Sequence, residues 1–244
     1  MRNIKLIIEY DGTEYHGWQR QPELATIQEE VEKAIYQVTK EKVEVIGSSR
    51  TDAGVHAKGF VANFKTESRV PSNKFNEALN IKLPDDISII KSEEVNAEFH
   101  SRFDAKGKTY EYVLLNRRAQ GALMRGYNYH VKFDLNFEEM IKACEYFKGT
   151  HDFIGFKSQG GSAKTTTRTI YDLKLEKIED FIKISITGDG FLYNMVRIIV
   201  GTLIDVGRGR IRSSEIEELI LKKDRNLAGP CVPARGLVLK EVYY

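Results

Sequence analysis

The 244-residue sequence is poor in residues that form covalent or metal cross-links. It has two cysteines, Cys144 and Cys231, and five histidines dispersed along the chain. Two cysteines provide neither a disulfide framework nor a metal-ligand spacing, so we expect both to be small core residues. We also expect no tightly bound zinc, because no histidines form a pair with ligand spacing.

The sequence also lacks long apolar runs. No run of eighteen apolar residues occurs, so we expect no membrane-spanning helix. The opening segment, MRNIKLIIEYDG, has a strand pattern that reaches Asp11 and Gly12 too soon for a signal peptide. We therefore predict a cytoplasmic protein. A hydrophobic content of 41% is still enough for a substantial core.

The net charge is small, at +2, but a global balance can hide local clusters. Basic residues concentrate in three segments, at 116–118, 163–168 and 207–212. Each segment by itself is typical of a solvated loop. Three of them in one chain favour a surface that binds phosphate groups.

The first part of the sequence has the pattern of an α+β unit. Alternation predicts a strand over Asn3–Tyr10, and Thr26 with Glu29 forms a capping-box pattern ahead of an amphipathic helix. Strands are predicted for EKVEVIG and HAKGFVANFKT, a helix from Pro71 to about Asn80, and a strand for DISIIKSEEV. The resulting βαββαβ order is that of ferredoxin-like and RRM-like folds.

The second part repeats this pattern loosely. We predict strands for GKTYEYVLLN and YNYHVKFDL, a helix capped by Asn136, a hairpin from IYDLKLEKIED and FIKISITG, and a closing strand for GLVLKEVYY. A capping box at Ser214 and Glu217 precedes a short helix. The fold prediction is α+β, with two RRM-like halves at residues 1–104 and 105–244. Together they would form a continuous, mainly antiparallel sheet with helices on one side and a central cleft that binds RNA.

Arg197 lies inside a predicted helix, from about Leu192 to Val206, that is apolar around nearly its whole circumference. An unpaired buried charge is costly, so this arginine either reaches water at a polar edge or pairs with an acid. Asp205 lies eight residues further on, about 12 Å along the helix axis, so we expect a partner from elsewhere in the chain.

Asp52 is the candidate partner. It lies in the loop GSSRTDAGVHAKG between two predicted strands, where aspartate and glycine are also common turn residues. A loop carboxylate paired with an arginine would stay ionised. Such a group is suited to nucleophilic attack, or to stabilising positive charge at a sugar carbon.

The same loop, RTDAGVHA followed by GFVANF, resembles the catalytic loop of the TruA-type tRNA pseudouridine synthases. The segments LIIEYDGTEYHGWQRQP, FHSRFDAKGKTYEYVLLN, HDFIGF, TTTRTI, GDGFLYNMVRIIVG and PARGLVL also resemble this family, in family order. The resemblance covers essentially the whole chain. The sequence departs from the family pattern at Cys231 and Val232, where we expect Thr and Ala.

The resemblance implies a role for six residues. Asp52 would be the essential aspartate, and Arg197 would pair with it. Arg50 would enter the RNA and replace the displaced base, while Tyr110 would stack on the target uracil. The two remaining implied substrate contacts are Arg168, which would face the RNA, and Leu237, which would pack beside the base. His151 and Phe153 match a recurring motif without a derived role.

The resemblance also implies the reaction and the partners. The enzyme would isomerise uridine to pseudouridine at positions 38 to 40 of the tRNA anticodon stem-loop, as a homodimer. An isomerisation needs no metal and no nucleotide cofactor. Three alternatives remain open: an RNA-binding module without activity, a nucleoside hydrolase or glycosidase that uses the same carboxylate, and a paralogous synthase with another RNA target.

Overall fold

The computed structural model describes residues 1–161 and 163–244. Its contacts divide the chain into two compact units. The first unit comprises residues 1–106 together with 238–244, and the second comprises residues 107–237. The described residues form ten strands and five α-helices, so the predicted α+β class is confirmed.

The first unit is built on a mixed sheet with strand order β4-β1-β3-β10, in which β2 pairs with β3. Its elements are β1 (Arg2–Tyr10), α1 (Ile27–Thr39), β2 (Ile46–Gly47), β3 (His56–Thr66), α2 (Phe75–Asn80), β4 (Ile87–Val95) and β10 (Leu237–Tyr243). The central strand β1 is antiparallel to both β3 and β4. The predicted βαββαβ order of residues 1–95 is confirmed.

The last strand of the chain, β10, returns to the first unit. It pairs parallel to the start of β3, with Val238 opposite His56 and Leu239 opposite Ala57. The closing strand was predicted from its alternating apolar residues, but alternation does not reveal which strand is its neighbour. The start of β3 directly follows the Asp52 loop, so β10 contributes to the support of that loop.

The start of α1 is formed differently from the sequence prediction. Thr26 occupies the cap position, but its side chain makes no capping hydrogen bond, and its buried hydroxyl has no partner among the described residues. The capping box is therefore wrong. The first helical N–H groups instead donate to main-chain oxygens, from Ile27 to Gly17 at 3.2 Å and from Gln28 to Trp18 at 3.0 Å.

The predicted strand EKVEVIG is shortened to the two residues of β2. Side chains of α1 bind the main chain just before it: Val45 N donates to Glu32 Oε1 at 3.0 Å, and Gln28 Nε2 donates to Val45 O at 3.1 Å. Because those main-chain groups are already bonded, they are not available for a strand ladder.

The second unit has the strand order β5-β9-β8-β7, with all of these pairs antiparallel, and β6 runs parallel to β5. Its elements are β5 (Gly107–Asn116), β6 (Tyr129–Val131), α3 (Phe137–Phe147), β7 (Gly149–Asp152), β8 (Thr167–Ile178), β9 (Phe181–Gly188), α4 (Met195–Gly207) and α5 (Ile216–Lys222). The predicted hairpin is β8 and β9. The predicted strand YNYHVKFDL is reduced to β6.

Two helix starts test the capping predictions in this unit. Asn136 caps α3, because its Oδ1 accepts the N–H of Glu139 at 3.2 Å, which confirms the prediction. The box at Ser214 and Glu217 is wrong. A short 3₁₀ turn precedes α5, and Glu215 Oε2 accepts the N–H of Arg212 at 2.8 Å instead.

Across the described residues, every helix is too short or too polar to cross a bilayer.

Candidate active site

The candidate catalytic aspartate lies in the loop between β2 and β3. Asp52 is half-buried, Thr51 before it is buried, and Arg50 is exposed. Val55 N donates to Asp52 O at 3.2 Å and closes a turn just before β3 begins at His56. The loop therefore presents an arginine and a carboxylate two residues apart.

The opening segment of the chain holds this loop by its main chain. Trp18 N donates to Thr51 O at 3.2 Å, and Gly54 N donates to Tyr15 O at 3.2 Å. The loop is thus bonded on both sides of Asp52 to the segment that follows β1. Such bonds fix the main chain, whatever side chain stands at position 52.

Tyr10, at the end of β1, adds a side-chain contact to the loop. Its phenolic oxygen lies 2.8 Å from Thr51 Oγ1, in a buried hydrogen bond. The pairing of β1 with β3 is irregular just before this point: Ile8 faces Phe60, whereas Tyr10 faces Ala57. Irregular pairing of this kind redirects side chains at the end of a strand, and here it places Tyr10 beside the loop.

Gly17 allows the two segments to approach closely. Its φ of +91° lies in the left-handed region, and a Cβ built there would collide with the carbonyl oxygen of Thr51. Only glycine fits both requirements without strain. Gly17, in the motif YHGWQ, therefore allows the close packing that the Asp52 loop requires.

Tyr15 is anchored on its other side. Its hydroxyl donates to Asp86 Oδ1 at 2.7 Å. Burial and this hydrogen bond raise the pKa of Tyr15 above its usual value, so the phenol stays protonated. The carbonyl oxygen that accepts the hydrogen bond from Gly54 N–H therefore belongs to Tyr15, whose side chain is also held in place.

His56 links the start of β3 to the turn after β1. Its Nδ1 accepts the N–H of Gly12 at 3.0 Å, and Asp11 Oδ1 lies 3.0 Å from the same nitrogen. The contact to Gly12 ties the turn to the strand that follows the Asp52 loop.

In the second unit, Arg197 lies in the first turn of α4 and is half-buried. Its Nε donates to Val232 O at 2.7 Å, and its Nη1 donates to Asn194 Oδ1 at 2.7 Å. Two neutral acceptors therefore fix the plane of the guanidinium. Asp205 instead pairs with Arg210 at 3.2 Å, which agrees with the expectation that it is not the partner of Arg197.

The departure from the family at Cys231 and Val232 does not alter this contact. The acceptor is the main-chain oxygen of Val232, which any residue provides. Val232 itself is buried, and Cys231 is half-buried. The prediction that Cys144 is a core residue is confirmed, and burial raises the pKa of its thiol to about 12.

Tyr110 and Leu237 are both well buried, with exposures of 8% and 5%. Tyr110 lies in β5, and its ring meets Phe191 edge-on at 5.3 Å between centroids. The neighbouring Tyr112 donates its hydroxyl to Pro233 O at 2.7 Å, which fixes the PARGL segment that leads to Leu237. The roles of these residues toward uracil stay predictions.

Arg168 lies near the start of β8, opposite His151 on β7, and is half-buried. Its Nη1 donates to Thr167 O at 2.5 Å and to Thr165 Oγ1 at 3.2 Å. The guanidinium folds over its own segment in this structure. A contact with RNA stays a prediction.

The HDFIGF motif has a packing role. Phe153 is fully buried and contacts Phe156 and the ring of His151, while His151 Nε2 lies 2.8 Å from Lys148 O. Asp152 pairs with Lys223 at 2.9 Å. Hydrogen bonds from Thr166 and Lys223 hold the pKa of Asp152 below its usual value. These contacts join β7 to the end of α5.

The six predicted site residues fall in both units. Arg50 and Asp52 share one loop of the first unit, whereas Tyr110, Arg168, Arg197 and Leu237 belong to the second. The ion pair between Asp52 and Arg197 therefore stays a prediction.

The residues that support the loop were not predicted from the sequence. They are Tyr10, Tyr15, Gly17, Trp18 and His56. The signal available was the density of Gly, Tyr and Trp in YDGTEYHGWQ, a polar loop with more aromatic residues than a solvated connection requires. Within residues 1–161 and 163–244, no group of three or more His, Cys, Asp or Glu side chains is arranged to hold a metal ion.

Comparison with known protein families identifies the family of this chain. The family described as tRNA pseudouridine synthase matches residues 6–104 and 143–244. These ranges contain five of the six predicted site residues, since Tyr110 lies outside them.

Curated relatives match over their entire length. The chain is 58% identical over 244 residues to tRNA pseudouridine synthase A 2 of Clostridium perfringens, with 100% of both chains covered. It is 56% identical to tRNA pseudouridine synthase A of Acetivibrio thermocellus and 57% identical to that of Clostridium botulinum strain Alaska E43, again over 100% of both chains.

Proposed function

The chain belongs to the tRNA pseudouridine synthase family, and from this premise we propose which uridines it modifies and which side chains act on them. It isomerises uridine to pseudouridine in tRNA. The reaction breaks the N1–C1′ bond, turns the uracil and joins C5 to C1′. One hydrogen leaves C5 and one is gained at N1, so no atom is added or lost overall.

The proposed targets are the uridines at positions 38, 39 and 40 in the anticodon stem-loop. We propose that the enzyme acts as a homodimer, with one tRNA contacting both subunits, and that it works in the cytoplasm, where its tRNA substrate is. Support for these details comes from the resemblance of motifs along the whole chain. The identity of 58% over full length carries the reaction itself.

Asp52 is the proposed catalytic residue. Its loop is bonded through the main chain to Tyr15 and Trp18, and this fixed setting is the observation that carries the assignment. A positioned carboxylate can attack C1′ covalently or assist elimination at C2′. We propose that Arg197, held by Val232 O and Asn194, keeps the carboxylate ionised and aimed.

The target uridine must leave its stack before it can react, which costs a few kcal/mol. The exposed Arg50 is proposed to fill the space that the base vacates. Tyr110 is proposed to stack on the extruded uracil, with Leu237 packed beside it. Base–aromatic stacking contributes about 1–3 kcal/mol per base and offsets part of the extraction cost.

Arg168 is proposed to contact the RNA backbone once the guanidinium turns away from Thr165 and Thr167. In this proposal residues 1–104 carry the catalytic loop, and residues 105–244 complete the binding cleft.

The test is incubation of the full-length protein with an unmodified tRNA transcript. Pseudouridine is then mapped by carbodiimide-dependent stops in reverse transcription. We expect stops at positions 38 to 40 wherever the transcript carries uridine there. The Asp52→Ala variant should form no product while still binding tRNA, because main-chain bonds hold its loop.

Each alternative gives a different result. Wild-type protein that binds tRNA and forms no pseudouridine would identify an RNA-binding module without activity. Pseudouridine at another position would identify a synthase with another target. Release of free uracil would identify a glycosidase. An Asp52→Ala variant that still forms product would overturn the assignment of the carboxylate.

A further inference from the structure

Residues 100–104 form an exposed turn that carries an unusual aromatic side chain. The ring of Phe103 is 75% exposed. One side of it contacts His100, with centroids 4.2 Å apart and planes at 32°, and the Arg102 guanidinium carbon lies 5.7 Å from its centroid. A ring at this exposure contributes little to the core, and most of its surface is open to a ligand.

The turn is firmly anchored. Ser101 is fully buried; its Oγ donates to Ile46 O at 2.6 Å, and its N–H donates to Asn63 Oδ1 at 2.9 Å. His100 N donates to Asp104 Oδ2 at 2.9 Å. Ile46 belongs to β2 and Asn63 to β3, the strands on either side of the Asp52 loop. Phe103 is therefore held at a defined position relative to that loop.

A surface pocket of about 270 Å³ lies between the turn and the loop. Arg50, His100, Arg102 and Phe103 line it, and Glu44 is the one carboxylate among its described lining residues. Ser49, also in the lining, has a buried hydroxyl without a hydrogen-bond partner among the described residues. The pocket thus combines two guanidinium groups, an aromatic face and free hydrogen-bonding capacity.

The chemistry of this pocket matches a nucleotide. Arginine is the preferred partner of a phosphate, and an exposed aromatic ring accepts a stacked base of any sequence. The Arg102 guanidinium makes no hydrogen bond or ion pair with any residue in the described part of the chain, so its donors are available to a phosphate. An apolar protein partner would gain little from two arginines beside one phenyl ring.

The pocket is also close to the reaction. Arg50 is two residues from Asp52, and two residues of chain span at most about 7 Å. An RNA strand that presents its target ribose to Asp52 must therefore continue past Arg50. We propose that the pocket and the turn hold a nucleotide adjacent to the target uridine, with Phe103 stacked on its base and Arg102 at its phosphate. This inference rests on the proposed function, because it takes the tRNA as the ligand.

The first test is the Phe103→Ala variant. Its affinity for an unmodified tRNA transcript is measured by filter binding, with Asp52→Ala as the background so that no turnover occurs. Loss of one stacked base should weaken binding about 5- to 150-fold. Phe103→Trp should restore binding to within about 2-fold, because the larger ring also stacks. Ile81→Ala is the matched control, since Ile81 is equally exposed, at 76%, in the same unit and does not line the pocket.

The second test separates the phosphate contact from stacking. Arg102→Gln should reduce the slope of log affinity against log salt by about 1, whereas Phe103→Ala should leave the slope unchanged. Arg69→Gln removes the same charge from an exposed position outside the pocket and controls for net charge.

The outcomes distinguish this inference from the proposed function. If the wild type forms pseudouridine but Phe103→Ala binds tRNA as tightly as Ile81→Ala, the inference is overturned and the function stands. If the wild type forms no pseudouridine but tRNA binding depends on Phe103, the function fails and the RNA contact stands. Equal loss of affinity in Phe103→Trp and Phe103→Ala would contradict stacking.

Discussion

The two units fix their proposed reactive groups in different ways. In the first, the loop of Asp52 is held by main-chain bonds to Tyr15 and Trp18 and by the close approach of Gly17. In the second, Arg197 is held by its own side-chain bonds to Val232 O and Asn194, on a helix that is buried along most of its length. The first arrangement positions a backbone, and the second positions a guanidinium.

This difference predicts how each unit responds to substitution. Replacement of Asp52 leaves the main-chain bonds of its loop intact, so activity should be lost without loss of fold. Replacement of Arg197 leaves two acceptors without their donor, and unsatisfied buried polar groups are costly. Replacement of Asp52 should therefore reduce activity without reducing stability, whereas replacement of Arg197 should reduce both.

After the complete loss of product expected of Asp52→Ala, the largest expected effect is that of Arg197→Ala. Misplacement of a catalytic group by about 1 Å can cost about 100-fold in rate, so we expect kcat to fall at least about 100-fold. Loss of its hydrogen bonds should also reduce the free energy of unfolding by about 2 kcal/mol. Single-turnover pseudouridine formation and thermal melting measure the two effects.

Two further variants complete that test. Arg197→Lys keeps the charge but cannot reproduce the fixed plane of the guanidinium, so its kcat should lie between wild type and Arg197→Ala. Lys222→Ala removes an exposed pair with Glu218 in the same unit and should change neither quantity measurably. A folded Arg197→Ala enzyme with normal kcat would rule out the proposed ion pair.

An intermediate effect is expected for Gly17→Ala, which disturbs the close contact between Gly17 and the Asp52 loop. A left-handed main chain and a collision with Thr51 O should together reduce stability by about 2 kcal/mol or more, and kcat should fall because the loop shifts. Chemical denaturation and the mapping assay report the two effects.

Gly209→Ala is the control for Gly17→Ala. Its φ is +70°, but nothing lies within 4 Å of a Cβ built there. It should therefore show only the cost of the left-handed conformation, about 1 kcal/mol, with normal kcat. Equal effects at both positions would show that the approach of Thr51 O is unimportant.

The smallest expected effect concerns Asp152, which joins β7 to the end of α5. Its pKa is lowered in the folded state by Thr166 and Lys223, so it contributes stability above its unfolded pKa, and the contribution is lost as the pH falls through the folded pKa. Asp152→Asn should lower the melting temperature by about 2 °C at pH 7, and the difference should shrink as the pH falls below about 3.9, the ordinary pKa of an aspartate in an unfolded chain.

Asp85→Asn provides the matched control for this pH dependence. Asp85 is exposed, and the structure gives it no hydrogen bond or ion pair among the described residues. Its substitution should leave the melting temperature unchanged at both pH values. A shift for Asp152→Asn that is as large at pH 3 as at pH 7 would show that its contribution is not electrostatic.

Local patterns predicted most of the elements, and they failed where tertiary contacts replaced local ones. Asn136 caps its helix as its sequence predicts, because the bond spans three residues. Thr26 does not, because the main chain of Gly17 and Trp18 receives the first helical N–H groups. The strand before Gly47 is shortened because Glu32 and Gln28 bind Val45.

The candidate site shows the same division. The family motifs predicted roles for Asp52, Arg50 and Arg197, since these residues stand at positions that match the motifs. They did not reveal that YDGTEYHGWQ supports the Asp52 loop, or that Ser101 anchors Phe103 beside it. Those relations join residues far apart in sequence and depend on main-chain atoms that every residue carries.

The sequence by itself determined the α+β class and the family, and it predicted which loop is catalytic, because periodicity and motif spacing are local properties of the chain. Tertiary structure alone decided that the last strand returns to the first unit beside β3. It also decided that Arg197 binds the main-chain oxygen of Val232, for which the side chain of residue 232 is irrelevant. The physical reason is that main-chain hydrogen bonding is the same for almost every residue, so its partners are chosen by packing in three dimensions.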